Sequence, residues 1–434
     1  MKKWIAALLS VVMVLSLVAC GKQSDGKGSD KIVVWTLAND LKQFAERYKA
    51  ETGKEVEVVV FDSADYSTKI MQTLGAKSKD VDIFVGEPQM LPNFFEAGFC
   101  ADLSELAGDV STRLVDYTYE AGKDEAGVLR AVSYQATPGS VIYRCDLAKE
   151  VFGTDDPAVI GEKFSSFDKI VETAAQLHEK GYTIFGDTGA LRWFSNSTSP
   201  WVRDGKIIVD QDRLNYFDAA VELYQKEYVA FAPEWSAAWY ASMAGPLPMN
   251  VGWGALEESS NPETQVFAYV MPSWGALIVR DNAEDNKGKF GVCSGVCSFF
   301  GGGTFLTVSE YSRHKDEAVD FIRYCTLNDD TAQWWLEESN GDVVSNKAVL
   351  EANKDYKNPS FNNQRTYEFY AAELEKVDYS LITGYDDACK EAFGAAIVSV
   401  QEGKNTKEEA LKEFYKVVIT QYPELSAPED EPAK

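Results

Sequence analysis

Two histidines, His178 and His314, are all the imidazole in this chain of 434 residues. A histidine metal centre and histidine acid–base catalysis therefore have almost nothing to draw on. His178 ends a polar helix pattern and His314 lies between Arg313 and Lys315, so both read as surface residues. No Gly-x-Ser-x-Gly elbow occurs, and sequence pairs neither histidine with a nucleophile. Gly301-Gly302-Gly303 could cradle phosphate. No Lys-Ser or Lys-Thr follows it and no GxGxxG is present, so the run reads as a close-packed turn where a ligand or another part of the fold meets backbone. Cys293-x-x-x-Cys297 is half a zinc site without a second pair or histidine nearby, and neither metal nor cofactor is expected. The 68 acidic residues make a glycosidase-like carboxylate pair an easy coincidence.

The aromatics carry more information. Trp35, Tyr66, Trp193, Trp239, Tyr240, Trp253, Phe299 and Phe300 fall at predicted strand ends or in loops. Grouped there, they suit stacking against the apolar faces of sugar rings. Such platforms need polar partners for the hydroxyls, because a buried unpaired hydroxyl partner costs about 1–3 kcal/mol. Asn39, Asp62, Glu87, Gln135, Thr137 and Asp342 are the polar candidates.

The elements that must position these residues alternate between strand and helix. Ile32–Trp35 reads as a strand, and Leu41, Phe44, Ala45 and Tyr48 follow at helical spacing up to Gly53. Val56, Val58 and Val60 alternate in a second strand, residues 65–76 form a helix, and Val81–Val85 is a third strand. Pro88 opens a helix through Ala97. This order predicts a doubly wound parallel α/β region with ligand beyond the carboxyl ends of its strands. Strands over Leu129–Tyr134 and Ser140–Tyr143 flank a crossover at residues 135–139. A second α/β region follows, with helices over Phe167–Lys180 and Leu214–Tyr228. Its strands are Leu247–Val251, Phe267–Met271, Gly291–Phe300 and Thr304–Val308. From Lys315 to Tyr422 the pattern is mostly helical.

Composition bounds the class. Hydrophobic residues make up 45% and charged residues 25%, which is ordinary for globular domains, and the length suits two domains or three. With 23 Phe, 21 Tyr and 10 Trp, disorder over most of the chain is excluded. A net charge of −26 argues against binding nucleic acid.

The N-terminus sets the compartment. Lys2 and Lys3 precede a short apolar run from Trp4 to Val18, which fits a secretory signal. Leu17-Val18-Ala19-Cys20-Gly21 resembles a bacterial lipobox, which implies cleavage before Cys20 and diacylation of its thiol. A plain secretory signal is the alternative. Residues 22–30 read as a polar tether. No other long apolar run occurs, so the remainder is expected outside the cell. Six cysteines remain, Cys100, Cys145, Cys293, Cys297, Cys325 and Cys389, and export makes disulfides or buried free thiols both available to them.

Several segments together resemble the extracellular solute-binding lipoproteins of bacterial carbohydrate ABC importers, the group that includes maltose-binding protein. They are Ile32-Val33-Val34-Trp35, Phe44-x₃-Tyr48-x₃-Thr52-Gly53, Val81-Asp82-Ile83-Phe84, Phe95-x-x-Gly98, Ser140-Val141-Ile142-Tyr143-Arg144, Phe167-Asp168-Lys169 and Lys315-x-Glu317-Ala318-x₂-Phe321. The resemblance spans about Lys31 to Tyr422. It implies a two-lobed periplasmic-binding-protein-like α/β fold, each lobe a doubly wound mixed sheet with helices on both faces and ligand in the cleft between. The implied layout is a signal peptide over 1–20, a tether over 21–30, lobe 1 from 31–137 and 272–326, lobe 2 from 138–271 and 327–425, and a frayed tail over 426–434. It carries a ligand role onto Trp35, Asn39, Glu87, Gln135, Thr137, Trp253 and Gly302. Position and chemistry add Asp62, Tyr66, Trp193, Tyr240, Phe300 and Asp342. The same resemblance brings Cys100 and Cys145 near the outer side of the hinge, where they could form a disulfide. The expected function is a monomeric, lipid-anchored, non-enzymatic receptor that hands a carbohydrate to an ABC permease. A lipoprotein glycoside hydrolase and a receptor for a non-sugar solute are the alternatives.

Overall fold

In the computed structural model, residues 31–195, 199–247 and 264–428 are described. Cys20, Trp253 and most of the expected strand over Leu247–Val251 lie outside them.

The first sheet has the order β2-β1-β3-β12-β4. Its strands are β1 (Ile32–Thr36), β2 (Val56–Val60), β3 (Ile83–Gly86), β4 (Val132–Ser133) and β12 (Phe305–Val308). β1 runs parallel to β2 and β3, while β12 runs antiparallel to both β3 and β4. Ile32, Val34 and Thr36 point into the core and alternate with half-buried Val33 and Trp35, which is the period-2 pattern of a half-covered strand. The helix Leu41–Thr52 buries Leu41, Phe44, Ala45 and Tyr48 on one face. It ends at Gly53, whose φ of 75° suits a residue without a Cβ.

The second sheet is antiparallel, β10-β5-β11, formed by β5 (Gly139–Arg144), β10 (Ala268–Pro272) and β11 (Phe290–Cys293). A parallel pair, β6 (Tyr182–Thr183) with β9 (Gln265–Val266), adjoins it through hydrogen bonds from Phe267 and Ala268 to the carbonyls of Thr183 and Ile184. The helices Pro157–Lys163, Phe167–His178, Gln211–Gln225, Asp386–Gln401 and Lys407–Gln421 contribute to a core with Val141, Tyr143, Ala268 and Val270 from this sheet.

The chain passes between the sheets from β4 to β5 and again from β11 to β12. These crossovers bond to each other rather than extending either sheet. Gly139 N–H donates to the Phe299 carbonyl at 2.6 Å and Gly301 N–H to the Thr137 carbonyl at 3.3 Å. Ala136 N–H donates to the Val343 carbonyl at 2.8 Å, so a third segment joins them. This explains why the strands expected over Leu129–Tyr134 and Gly291–Phe300 shrink to Val132–Ser133 and Phe290–Cys293. The β propensity is real, but crossover backbone groups pair among themselves.

Phe290–Cys293 pairs with β5. The helix Asp329–Ser339 packs on the helix Leu41–Thr52, with Phe44 5.3 Å from Trp334 and 5.0 Å from Trp335. The Cys100–Cys145 disulfide does not form, and the six described cysteines are free thiols. Cys100 bridges Ser309 beside the first sheet, whereas Cys145 N–H bonds the Lys289 carbonyl beside the second. The histidines are not simple surface residues either. His314 Nδ1 lies 3.2 Å from the buried Asp82 carboxylate, and half-buried His178 packs 5.1 Å from the Tyr228 ring.

Candidate ligand-binding cleft

Two adjoining cavities open where the crossovers meet. One, of about 270 Å³, is lined by Glu87, Arg192, Trp193, Phe299, Phe300, Lys376 and neighbouring residues. The other, of about 400 Å³, is lined by Leu37, Ala38, Asp40, Gln135, Trp235 and Gly303 among others. Glu87, Trp274 and Gly302 line both, so they form the partition of a single cleft.

Backbone placement explains the partition. Glu87 directly follows β3, at the carboxyl end where an α/β sheet offers its crevice. Its carboxylate accepts from Gln89 Nε2 at 2.7 Å, yet burial pushes its pKa up. Trp274 lies in the first turn of the helix Ser273–Asn282. That turn is tied to the crossover, since Ser273 N–H donates to the Pro138 carbonyl at 2.8 Å and Ser273 Oγ to the Ala136 carbonyl at 3.2 Å. The indole Nε1 donates to the Gly301 carbonyl at 2.9 Å, which fixes the ring plane. Gly302 has a φ of 67°, and a Cβ there would come within 3.2 Å of Trp274 Nε1. Here glycine is required both for conformation and for close approach.

Aromatic rings make one wall. Trp235 stacks on Trp274 with centroids 6.0 Å apart and an interplanar angle of 20°. Trp193 meets Trp274 edge-on at 6.3 Å and stacks on Phe299 at 5.6 Å. Phe300 packs 4.9 Å from Tyr117. Facing groups on the first lobe are polar. Asp40 caps its helix by accepting Leu41 N–H at 2.9 Å and also accepts the Tyr134 hydroxyl, while burial raises its pKa. Gln135 is aimed by its amide, which donates to both oxygens of Asp342 at 2.9 and 2.7 Å.

Of the residues expected from sequence, Glu87, Gln135, Trp193, Phe300 and Gly302 are brought together at the cleft. Thr137 and Asp342 stand behind it. Thr137 N–H donates to the Tyr117 hydroxyl at 2.7 Å, and Asp342 holds Gln135 and accepts Trp335 Nε1 at 2.9 Å. Trp35 packs on Phe61 at 4.6 Å, Tyr240 on Trp239 at 5.0 Å, and Asn39 takes a bond from Lys42 at 3.3 Å; none of these three lines either cavity. Asp62 is exposed at the helix start and also lines neither. Tyr66 is a core residue with no exposed surface, its hydroxyl accepting Val85 N–H at 2.9 Å. Sequence reasoning missed Trp274, Trp235, Asp40 and Arg192. A signal existed for the tryptophans: each sits two residues after a proline, in Pro272-Ser273-Trp274 and Pro233-Glu234-Trp235, at or just before a helix start. Among the described residues, no group of three or more His, Cys, Asp or Glu is placed to hold a metal ion.

A cleft between two α/β lobes, walled by indoles and lined with acceptors, can clasp a small polar solute that also has apolar faces. The family model for bacterial extracellular solute-binding proteins matches residues 43–363. The chain belongs to this family. This solute-binding protein is 24% identical over 400 residues to the "Probable ABC transporter-binding protein" of Deinococcus radiodurans, covering 86% of this chain and 88% of that one. It is 23% identical over 385 residues to the diacetylchitobiose binding protein DasA of Streptomyces coelicolor, covering 81% and 84%. Its fold matches the ABC transporter associated binding protein from B. animalis subsp. lactis in complex with β-1,6-galactobiose. That match has a TM-score of 0.70 and 20% identity, and it covers 93% of this chain and 100% of that structure. The two-lobed fold expected from sequence is therefore the fold of this solute-binding protein.

Proposed function

We propose that the cleft binds a sugar or short oligosaccharide, and that the protein delivers it to an ABC permease while tethered by lipid on Cys20. The observation that carries the reading is the indole wall of Trp193, Trp235 and Trp274 facing the acceptors Glu87, Asp40 and Gln135. Sugar rings present alternating apolar C–H faces and hydroxyl edges, which this arrangement matches on both counts. The carbohydrates named for DasA and for the galactobiose-bound structure support the same class. Binding works by hinge closure around the crossovers, and the closed monomer docks on the permease. A lipid anchor raises its effective concentration at that permease. The receptor binds its solute and does not turn it over.

Titration calorimetry with a panel of sugars, amines and peptides tests the proposal. A sugar is expected to bind wild type, and Trp274→Ala is expected to weaken it by about 1–3 kcal/mol. Binding of only an amine or peptide would refute the sugar, and release of reducing sugar would refute the receptor. Cys20→Ser is expected to abolish labelling by a fatty acid, and retained labelling would remove the anchor.

A further inference from the structure

The two indoles flanking Trp274 are each next in sequence to one half of an ion pair. Arg192 precedes Trp193 in the 3₁₀ helix Thr188–Phe194, and Glu234 precedes Trp235 in the loop before the helix Ala237–Ala244. Arg192 Nη2 lies 2.6 Å from Glu234 Oε2, with the Glu234 side chain only 10% exposed. Arg192 Nη1 also donates to the Gly189 carbonyl at 3.2 Å, and its guanidinium sits 4.8 Å from the centre of the Trp193 ring. The guanidinium is thus held from three sides, by a carboxylate, a carbonyl and an aromatic face.

The Trp235 side needs such a restraint. Trp235 has a φ of 70°, a left-handed conformation costly for a residue with a side chain, and the residue is 49% exposed. A strained, half-exposed indole keeps one position only if its neighbours determine it. Trp239 at 5.3 Å, Tyr240 at 6.4 Å and the stack on Trp274 surround the ring, and the ion pair one residue earlier anchors the strained backbone that carries it.

We propose that Arg192–Glu234 is a positioning pair. It sets the distance between the Trp193 3₁₀ helix and the Trp235 loop on either side of Trp274, and so decides which ring shapes the cleft accepts. Glu234 itself lines neither cavity, so it acts through the indoles rather than on the solute. The inference rests on the proposed cleft function, but its structural half is measurable without ligand.

The test uses the full chain and three variants. Closely packed indoles give an exciton band in circular dichroism, and Trp235→Phe supplies the spectrum in which the couplings of Trp235 to both Trp274 and Trp239 are lost. Glu234→Gln keeps shape and removes charge. It is expected to give the Trp235→Phe spectrum, to keep the wild-type melting temperature within a few degrees, and to weaken the sugar that wild type binds by about tenfold. Arg192→Lys keeps the charge and is expected to retain most of the exciton band. A Glu234→Gln protein with the wild-type spectrum overturns the proposal, whatever its affinity, because the indoles would then hold without the pair. Arg192→Lys folded but lacking the band also overturns it. If wild type binds no sugar in the panel, the proposed function fails, while the spectra still decide the pair.

Discussion

Gly301→Ala inserts one methyl group where the crossover meets the aromatic wall. A Cβ built on Gly301 would lie 2.1 Å from Trp193 Cζ3, 2.8 Å from its Cη2 and 3.0 Å from Pro272 Cγ. Ordinary carbon contacts begin near about 3.5 Å, so the indole must retreat by about 1.4 Å or the crossover must shift. The indole has little room, since it is stacked on Phe299 and flanked by Trp274 and Arg192. The backbone is also pinned, through the Gly301 N–H on Thr137 and the Gly301 carbonyl on Trp274 Nε1. Overpacking of this kind costs about 1–3 kcal/mol. For a lobe-sized unit that is a fall in melting temperature of roughly 2–12 °C. Affinity should fall further than stability, because either adjustment displaces a cleft-lining ring. Gly75→Ala is the control, with nothing within 4 Å of its Cβ position; it should leave stability equal or raise it by up to about 1 kcal/mol. Differential scanning calorimetry without ligand and titration calorimetry with it read both quantities. Wild-type melting and affinity in Gly301→Ala would refute the close packing of Trp193 on the crossover, and with it the geometry assigned to this wall.

Burial pushes the Asp342 carboxyl up to about 6, so folding takes up a proton between the unfolded pKa near 4 and that value. Its contribution to stability is present in full below about pH 4 and declines as pH rises through about 6, a change on the order of 3 kcal/mol. Asp342→Asn should flatten that part of the urea-midpoint profile between pH 4 and 7, and an unchanged difference from wild type across the range would refute the assignment. The six described cysteines should all alkylate in denaturant without reductant, and mass spectrometry finding any linked pair would refute the free-thiol assignment.

Local order was legible in the sequence because it depends on neighbours a few residues apart. The alternation of Val56, Val58 and Val60, the face Leu41-Phe44-Ala45-Tyr48 and the stop at Gly53 each became the element their spacing implied. Residues placed directly after a strand were also readable, as Glu87 after β3 shows. Where a strand-end side chain points was not. Trp35, near the end of β1, packs on Phe61, and Tyr66, in the helix Ser63–Gly75, donates its hydroxyl to the Val85 carbonyl, so tertiary packing turned both away from the cleft. Asp342 looked like a ligand acceptor, and only its burial against Trp335 and Gln135 shows that it aims another residue. The partition itself joins Glu87, Trp274 and Gly302 from segments far apart in the chain. Their meeting depends on two crossovers pairing with each other and on a helix that begins against one of them. Such non-local hydrogen bonds leave no periodic trace in sequence, because each partner is free to satisfy its backbone elsewhere until the lobes are assembled.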